Sequence, residues 1–242
     1  MTNPVAVEVR GPLMVVTLSR PEKANALSAE MADGVRAAIE QAGRDGARAV
    51  VLRGEGRHFC AGFDFGDFDS LTDGDLALRF LQVEEMLQAV FHAPMPVLAL
   101  VQGRAVGAGA DLAAAAMRVV AAPGARFQMP GPRFGVVLGT RRLAYRIGPV
   151  AARQIQIENR PVDADEALSL GLVDSVADPA EWDELIAEFA QAYTGLAADV
   201  TEALADVTRP DTRDADMAAL ARSVAKPGIK GRIAAFRASS AR

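Results

Sequence analysis

The sequence predicts an α/β fold of repeated strand–strand–helix units with a helical C-terminal extension. Three observations carry this reading. Short apolar runs of strand length alternate with helix-spaced apolar stretches up to Asp178. Half of the 242 residues are hydrophobic, enough to bury one sizeable core. Beyond Asp178 only helical patterns remain, jointed at Arg209-Pro210 and Lys226-Pro227-Gly228. We therefore expect a core over residues 1–178 and a helical extension over 179–242.

The elements follow in order. Val5, Val7 and Val9 alternate, Gly11-Pro12 turns, and Leu13–Leu18 is apolar, which predicts a β-hairpin. Ser28 is a candidate N-cap, and Met31, Val35, Ala38, Ile39 and Ala42 share one helical face that Gly43 and Gly46 close. Ala49–Leu52 reads as a buried strand. Residues 66–73 are acidic and polar, expected as a mobile loop before a helix from about Asp75 to Phe91. Its stripe of Leu76, Phe80, Val83, Leu87 and Val90 is a core face. Pro94-Met95-Pro96 breaks that helix and leads to strand Val97–Val101. An alanine-rich helix follows at Ala110–Met117, then strands at Val119–Ala122 and Arg126–Met129 and helices at 139–147 and 149–158. Asp163 caps a helix over Ala164–Leu170 that Gly171 ends, with Leu172-Val173 returning to strand. The extension divides into helices at 180–194, 198–207, 212–225 and 228–240.

Composition narrows the chemistry. A net charge of −5 with scattered basic residues argues against nucleic acid as the main partner. Cys60 is the single cysteine, so no intramolecular disulfide forms and a reducing compartment suits the chain. No apolar run reaches the ~18 residues of a membrane span, and no signal core opens the chain. We expect a cytoplasmic protein. The two histidines, His58 and His92, show no metal-ligand spacing, and no metal site is expected. No G-x-S-x-G nucleophile motif occurs, and the glycines of Arg104–Asp111 lack the rest of a dinucleotide-binding pattern. Cys60 is either a nucleophile or, as small buried thiols generally are, a packing residue.

One stretch invites function. After strand 49–52 the chain turns through Arg53-Gly54-Glu55-Gly56 and reaches Phe59-Cys60-Ala61-Gly62-Phe63-Asp64. Small residues around Gly62 leave backbone N–H groups unshielded. A donor aimed where negative charge develops is half of an oxyanion hole; the bland alternative is an ordinary turn.

Two further segments accompany it: Arg20–Ser28, RPEKANALS, and Val101–Asp111, VQGRAVGAGAD. Together with HFCAGFDF at 58–65, in this order, they resemble the enoyl-CoA hydratase/isomerase (crotonase) superfamily, from about Val5 to Val176. The resemblance implies a crotonase-like spiral of β-β-α repeats in two roughly perpendicular sheets. It implies a C-terminal extension that covers the site and supports a homotrimer or dimer of trimers. Coenzyme A would arrive as part of an acyl-CoA substrate, with no cofactor permanently bound. The N–H groups of Phe63 and Ala108 would form the oxyanion hole, Ala108 standing where the family commonly has glycine, and the Phe63 ring would line the acyl pocket. Lys23, Ala24 and Ala26 would border the pantetheine arm; Ala61, Gly62 and Asp64 would lie toward the adenine end; Arg20 or Lys23 would meet a phosphate.

Proton transfer departs from the family pattern. Hydratases of this family use two glutamates. The first position matches Asp111, and the second aligns with Gly131, which carries no proton-transfer group. No carboxylate occurs between Asp111 and Glu158; Arg133, Arg141 and Arg142 are the nearby charged residues. Three readings stay open: a hydratase-like lyase or isomerase with Asp111 as acid and base, a catalytically weak CoA-ester binder, and a thioester hydrolase.

Overall fold

A computed structural model describes residues 3–240 of the chain. Strands β1 (Val5–Arg10) and β2 (Leu13–Leu18) pair as the expected antiparallel hairpin. From β2 onward the main sheet is parallel, through β3 (Ala49–Gly54), β4 (Val97–Val101), β6 (Arg118–Ala121) and β9 (Ser175–Val176). A second sheet joins β5 (Arg104–Val106), β7 (Arg126–Gln128) and β8 (Val162–Asp163). Every residue of β4 is buried, as a parallel strand covered on both faces requires.

Side-chain alternation sends the two faces of the main sheet into different cores. Met14, Val16, Leu52 and Ala99 join the large core under helices α1 (Ala29–Arg44), α2 (Asp73–Phe91) and α3 (Ala108–Ala115). Val15, Val51, Leu98 and Leu100 face the other way, where Ile186 and Phe189 of α7 (Trp182–Thr194) cover them. Helices α4 (Thr140–Ile147) and α5 (Pro149–Glu158) precede β8, and α6 (Ala164–Leu170) lies between β8 and β9. Helices α8 (Ala198–Thr208), α9 (Arg213–Val224) and α10 (Ile229–Ser240) complete the extension. The caps fall where sequence placed them: Ser28 Oγ accepts from Met31 N–H at 3.2 Å, and Asp163 from Glu166 N–H at 3.0 Å.

Three local expectations change. Strand β5 was not foreseen, and the final return to strand comes at Ser175-Val176 instead of Leu172-Val173. The segment 66–73 is not a free loop. Phe68 is buried within it, Arg79 of α2 pairs with Asp67 at 2.8 Å, and Lys230 Nζ donates to the Asp69 and Leu71 carbonyls at 2.8 and 2.7 Å.

Candidate active site

The three motif segments meet because small residues let their backbones interleave. Asn25, fully buried, accepts from Arg20 N–H at 2.9 Å and donates to the Glu55 and His58 carbonyls at 2.9 and 2.8 Å. Leu27 N–H donates to the Gly62 carbonyl, and Asp64 N–H donates back to Leu27. Gly62 has φ 85°, and a Cβ there would lie 2.3 Å from the Val106 carbonyl oxygen. Only glycine brings the second and third segments this close.

That lacing leaves two donors over. Leu27 bridges to Phe63 through the residues on either side of it, so the Phe63 N–H has no acceptor among the described residues. Ala108 is the first residue of α3, where the helix has no carbonyl to offer, and its N–H has no acceptor among them either. The strained backbone, φ 54°, falls on Gly107, so a methyl at position 108 is tolerated. Phe63 and Ala108 both line one cavity of about 160 Å³. The helix N-terminus at Ala108 adds its partial positive charge to the same place. Two orphan donors beside one cavity are what a developing oxyanion needs.

Asp111, one turn into α3, lines the same cavity and is 5% exposed. Its carboxylate makes no hydrogen bond among the described residues, and the Gly139 backbone at the start of α4 packs directly against it. Burial pushes the Asp111 carboxyl well above the usual carboxylate range; the Arg142 charge opposes this and the Glu84 charge adds to it. Gly131 also lines the cavity, at the head of a short 3₁₀ turn to Phe134. A Cβ there would sit 3.0 Å from the Val136 carbonyl oxygen, so a longer side chain meets backbone at once.

The other candidates sort by environment. Ala24 and Ala26 are half-buried along the first loop, and Ala24 accepts from Ala61 N–H at 2.9 Å. Lys23 is exposed beside them without an ion pair among the described residues. Arg20 donates through Nη1 to Asp64 at 2.8 Å and to the Ala26 carbonyl at 3.0 Å. Asp64, expected toward the adenine end, thus ties two loops together. Arg133 and Arg141 are surface residues, whereas Arg142 is fully buried between Glu84 and Asp216. The Cys60 thiol is buried and pushed up to about 12, which leaves it a packing residue. His58 accepts from Arg104 N–H at 3.2 Å and serves the loop.

Three contributors were not singled out from sequence. Asn25 is one. Arg79 is another: its guanidinium lies 4.4 Å from the Phe63 ring centroid and donates to the Leu27 and Asp64 carbonyls at 3.3 and 3.0 Å, bracketing the Phe63 peptide. Gln156 of α5 is the third, among the described residues the only polar side chain on the cavity wall besides Asp111; its carboxamide donates to Thr140 Oγ1 at 3.1 Å. Polar residues on otherwise apolar helical faces are the signal that could have marked Arg79 and Gln156. A second cavity, about 110 Å³, lies near Ala115, Tyr145, Thr201 and Arg209, but no carboxylate lines it.

Comparison with known proteins matches the chain and its fold to one family. The family described as enoyl-CoA hydratase/isomerase matches residues 8–226. A Rhodobacter capsulatus protein named probable enoyl-CoA hydratase is 41% identical over 175 residues, 70% of this chain and 66% of that protein. The Mycobacterium tuberculosis protein named probable enoyl-CoA hydratase echA6 is 34% identical over 184 residues, 74% of each chain. A crystal structure from Bordetella parapertussis, whose protein carries a provisional enoyl-CoA hydratase/isomerase name, is 45% identical and superposes with a TM-score of 0.96 over 98% of this chain and 99% of that one. The fold is the crotonase spiral with C-terminal helices, and the chain belongs to the enoyl-CoA hydratase/isomerase family.

Proposed function

We propose that the chain is an acyl-CoA enzyme that stabilises a thioester enolate and moves a proton within its substrate, an isomerase in type and not a two-carboxylate hydratase. The observation that carries this is that, among the described residues, Asp111 is the only titratable side chain lining the cavity. Water addition by the family's two-glutamate route needs a second acid or base, and Gly131 offers none. A double-bond shift needs only one group. The Asp111 carboxylate takes a proton from the carbon next to the thioester, the enolate oxygen sits between the Phe63 and Ala108 N–H groups, and the Asp111 carboxylic acid returns the proton two carbons further along. No water is consumed. A carboxyl raised by burial suits this, because a stronger base both takes the proton and holds it for return.

Coenzyme A enters as part of the substrate. Lys23, Ala24 and Ala26 would border its pantetheine arm, with Ala61, Gly62 and Asp64 toward the adenine. The helices between residues 179 and 240 would cover the site. Val200, Leu204 and Val207 of α8 are exposed and apolar, which supports assembly as a homotrimer or dimer of trimers, measurable by light scattering. The test of function is proton exchange. In D₂O the protein should exchange the α-protons of a saturated acyl-CoA, followed by NMR. Asp111→Asn should slow that exchange by ~10²–10⁴-fold. Unchanged exchange in the variant, or rapid hydration of crotonyl-CoA by the natural chain, would reject the single-carboxylate reading.

A further inference from the structure

The cavity beside Asp111 restricts what can enter it. Its volume of about 160 Å³ is close to that of an apolar cavity, roughly 150 Å³, that holds one benzene. Five phenylalanine rings contribute to the wall: Phe63, Phe65, Phe80, Phe134 and Phe236. Phe63 stacks on Phe80 with centroids 4.4 Å apart and 26° between the planes, and meets Phe65 at 4.9 Å. Phe134 and Phe236 form a second pair at 5.2 Å. The Gln156 carboxamide is engaged with Thr140, so ring faces and edges dominate what a ligand meets.

The wall is also held in place. Phe236 rides on α10, whose first turn is fixed by the Asp73 carboxylate accepting from Gly228 and Lys230 N–H at 3.1 and 3.0 Å. Lys230 binds the Asp69 and Leu71 carbonyls, and Arg232 donates to the Phe134 carbonyl at 3.0 Å. Drawing α10 back to lengthen the cavity would break these bonds together. A long flexible chain therefore lacks room, while a flat π-system gains offset-stacked or edge-on contacts worth ~0.5–1.5 kcal/mol each beyond its buried area.

We propose that the acyl group taken by this chain is compact, an enoyl thioester whose carbon chain is no larger than about benzene, with Phe236 setting the length limit. This rests on the CoA-thioester reading above. Calorimetric titration with CoA, crotonyl-CoA and hexadecenoyl-CoA tests it. Crotonyl-CoA should bind at least about tenfold more tightly than hexadecenoyl-CoA. Phe236→Ala should narrow that gap by admitting the long chain; Phe134→Leu serves the same purpose if the first variant does not fold. Equal or tighter binding of hexadecenoyl-CoA by the natural chain overturns the compact-acyl proposal and leaves the enolate reading standing. A gap unchanged in a folded variant removes the phenylalanine pair as the length limit. If no thioester binds better than CoA, the reading beneath the proposal fails instead.

Discussion

Asp111 and Glu84 are both buried carboxylates whose charges bear on each other, yet the fold equips them oppositely. Glu84 of α2 accepts from Arg142 and from Gln88 at 3.0 Å. Arg142 in turn reaches Asp216 of α9 at 3.1 Å, and Thr212 donates to Asp216 at 2.6 Å. Asp111 lies within the field of this network but has no hydrogen bond among the described residues. Burial raises both carboxyls; Arg142 counters it by a direct contact for Glu84 and only through space for Asp111. A buried charge with matched partners joins elements together. One without partners is left to exchange protons.

Breaking the paired region should have the largest effect on stability. Arg142 joins α2, α4 and α9, so Arg142→Met strands Glu84 and Asp216 in the interior. The expected loss is ~3–5 kcal/mol, the scale for removing one partner of a buried pair. Denaturant unfolding measures it. Glu84→Gln in the same background should recover part of the loss, because the orphaned charge is gone. Arg141→Ala, which removes an exposed partner of Asp216, should cost under about 1 kcal/mol.

The unpartnered region should break without a comparable loss of fold. Ala108 N–H has no acceptor, so Ala108→Pro removes a donor and no structural hydrogen bond. Proline is also accepted at the first position of a helix. Affinity for an enolate-like CoA analogue should fall by ~3–4 kcal/mol, the cost of a lost oxyanion donor, with the melting temperature little changed. Full affinity in a folded variant would remove Ala108 from the chemistry.

Much of this was legible in the sequence where the signal is local. Ser28 and Asp163 as caps, Gly171 as a stop and the valine-rich run of β4 depend on neighbours a few residues away. Strand β5 is three residues long between glycines, and its partner Arg126–Gln128 lies beyond α3 and β6, so no local pattern marks it. The motifs located Phe63, Ala108 and Asp111, but not what surrounds Asp111, since Glu84 and Arg142 come from helices distant in sequence. Segment 66–73 read as mobile because Lys230, more than a hundred residues later, supplies the contacts that hold it.

Arg79 lies between the two regions in character: it is a buried cation that acts through a backbone. It holds the Leu27 and Asp64 carbonyls and covers the Phe63 ring, which makes it a positioning residue for the Phe63 N–H. Lysine keeps the charge but cannot fork to two carbonyls and Asp67 together. Arg79→Lys should lower kcat by roughly 1–3 kcal/mol equivalent, the range for hydrogen bonds to charged groups, with KM nearly constant. A fall in stability with kcat intact would make Arg79 structural only.

The last expected effect follows from the proton on Asp111. Burial raises its folded-state pKa, with Glu84 on α2 adding and Arg142 on α4 opposing, whereas the unfolded chain titrates near ~3.9. Between those values the folded protein binds a proton that the unfolded chain does not, so this group's contribution makes stability fall as pH rises. His92 runs the other way. Burial, with Arg213 and Arg209 assisting, takes it down to about 4, so the unfolded chain binds the extra proton between that value and its ordinary one, and stability rises with pH there. The two partly cancel in the natural protein, and only a difference curve separates them. Asp111→Asn should match the natural chain below the unfolded carboxylate range and become progressively more stable than it as pH rises toward the folded-state pKa of Asp111. Thermal melts of both proteins across that range measure it. Parallel curves would mean that burial leaves the Asp111 pKa in the ordinary carboxylate range, and the argument that its carboxylate is a base strong enough to take and return the substrate proton would lose its basis.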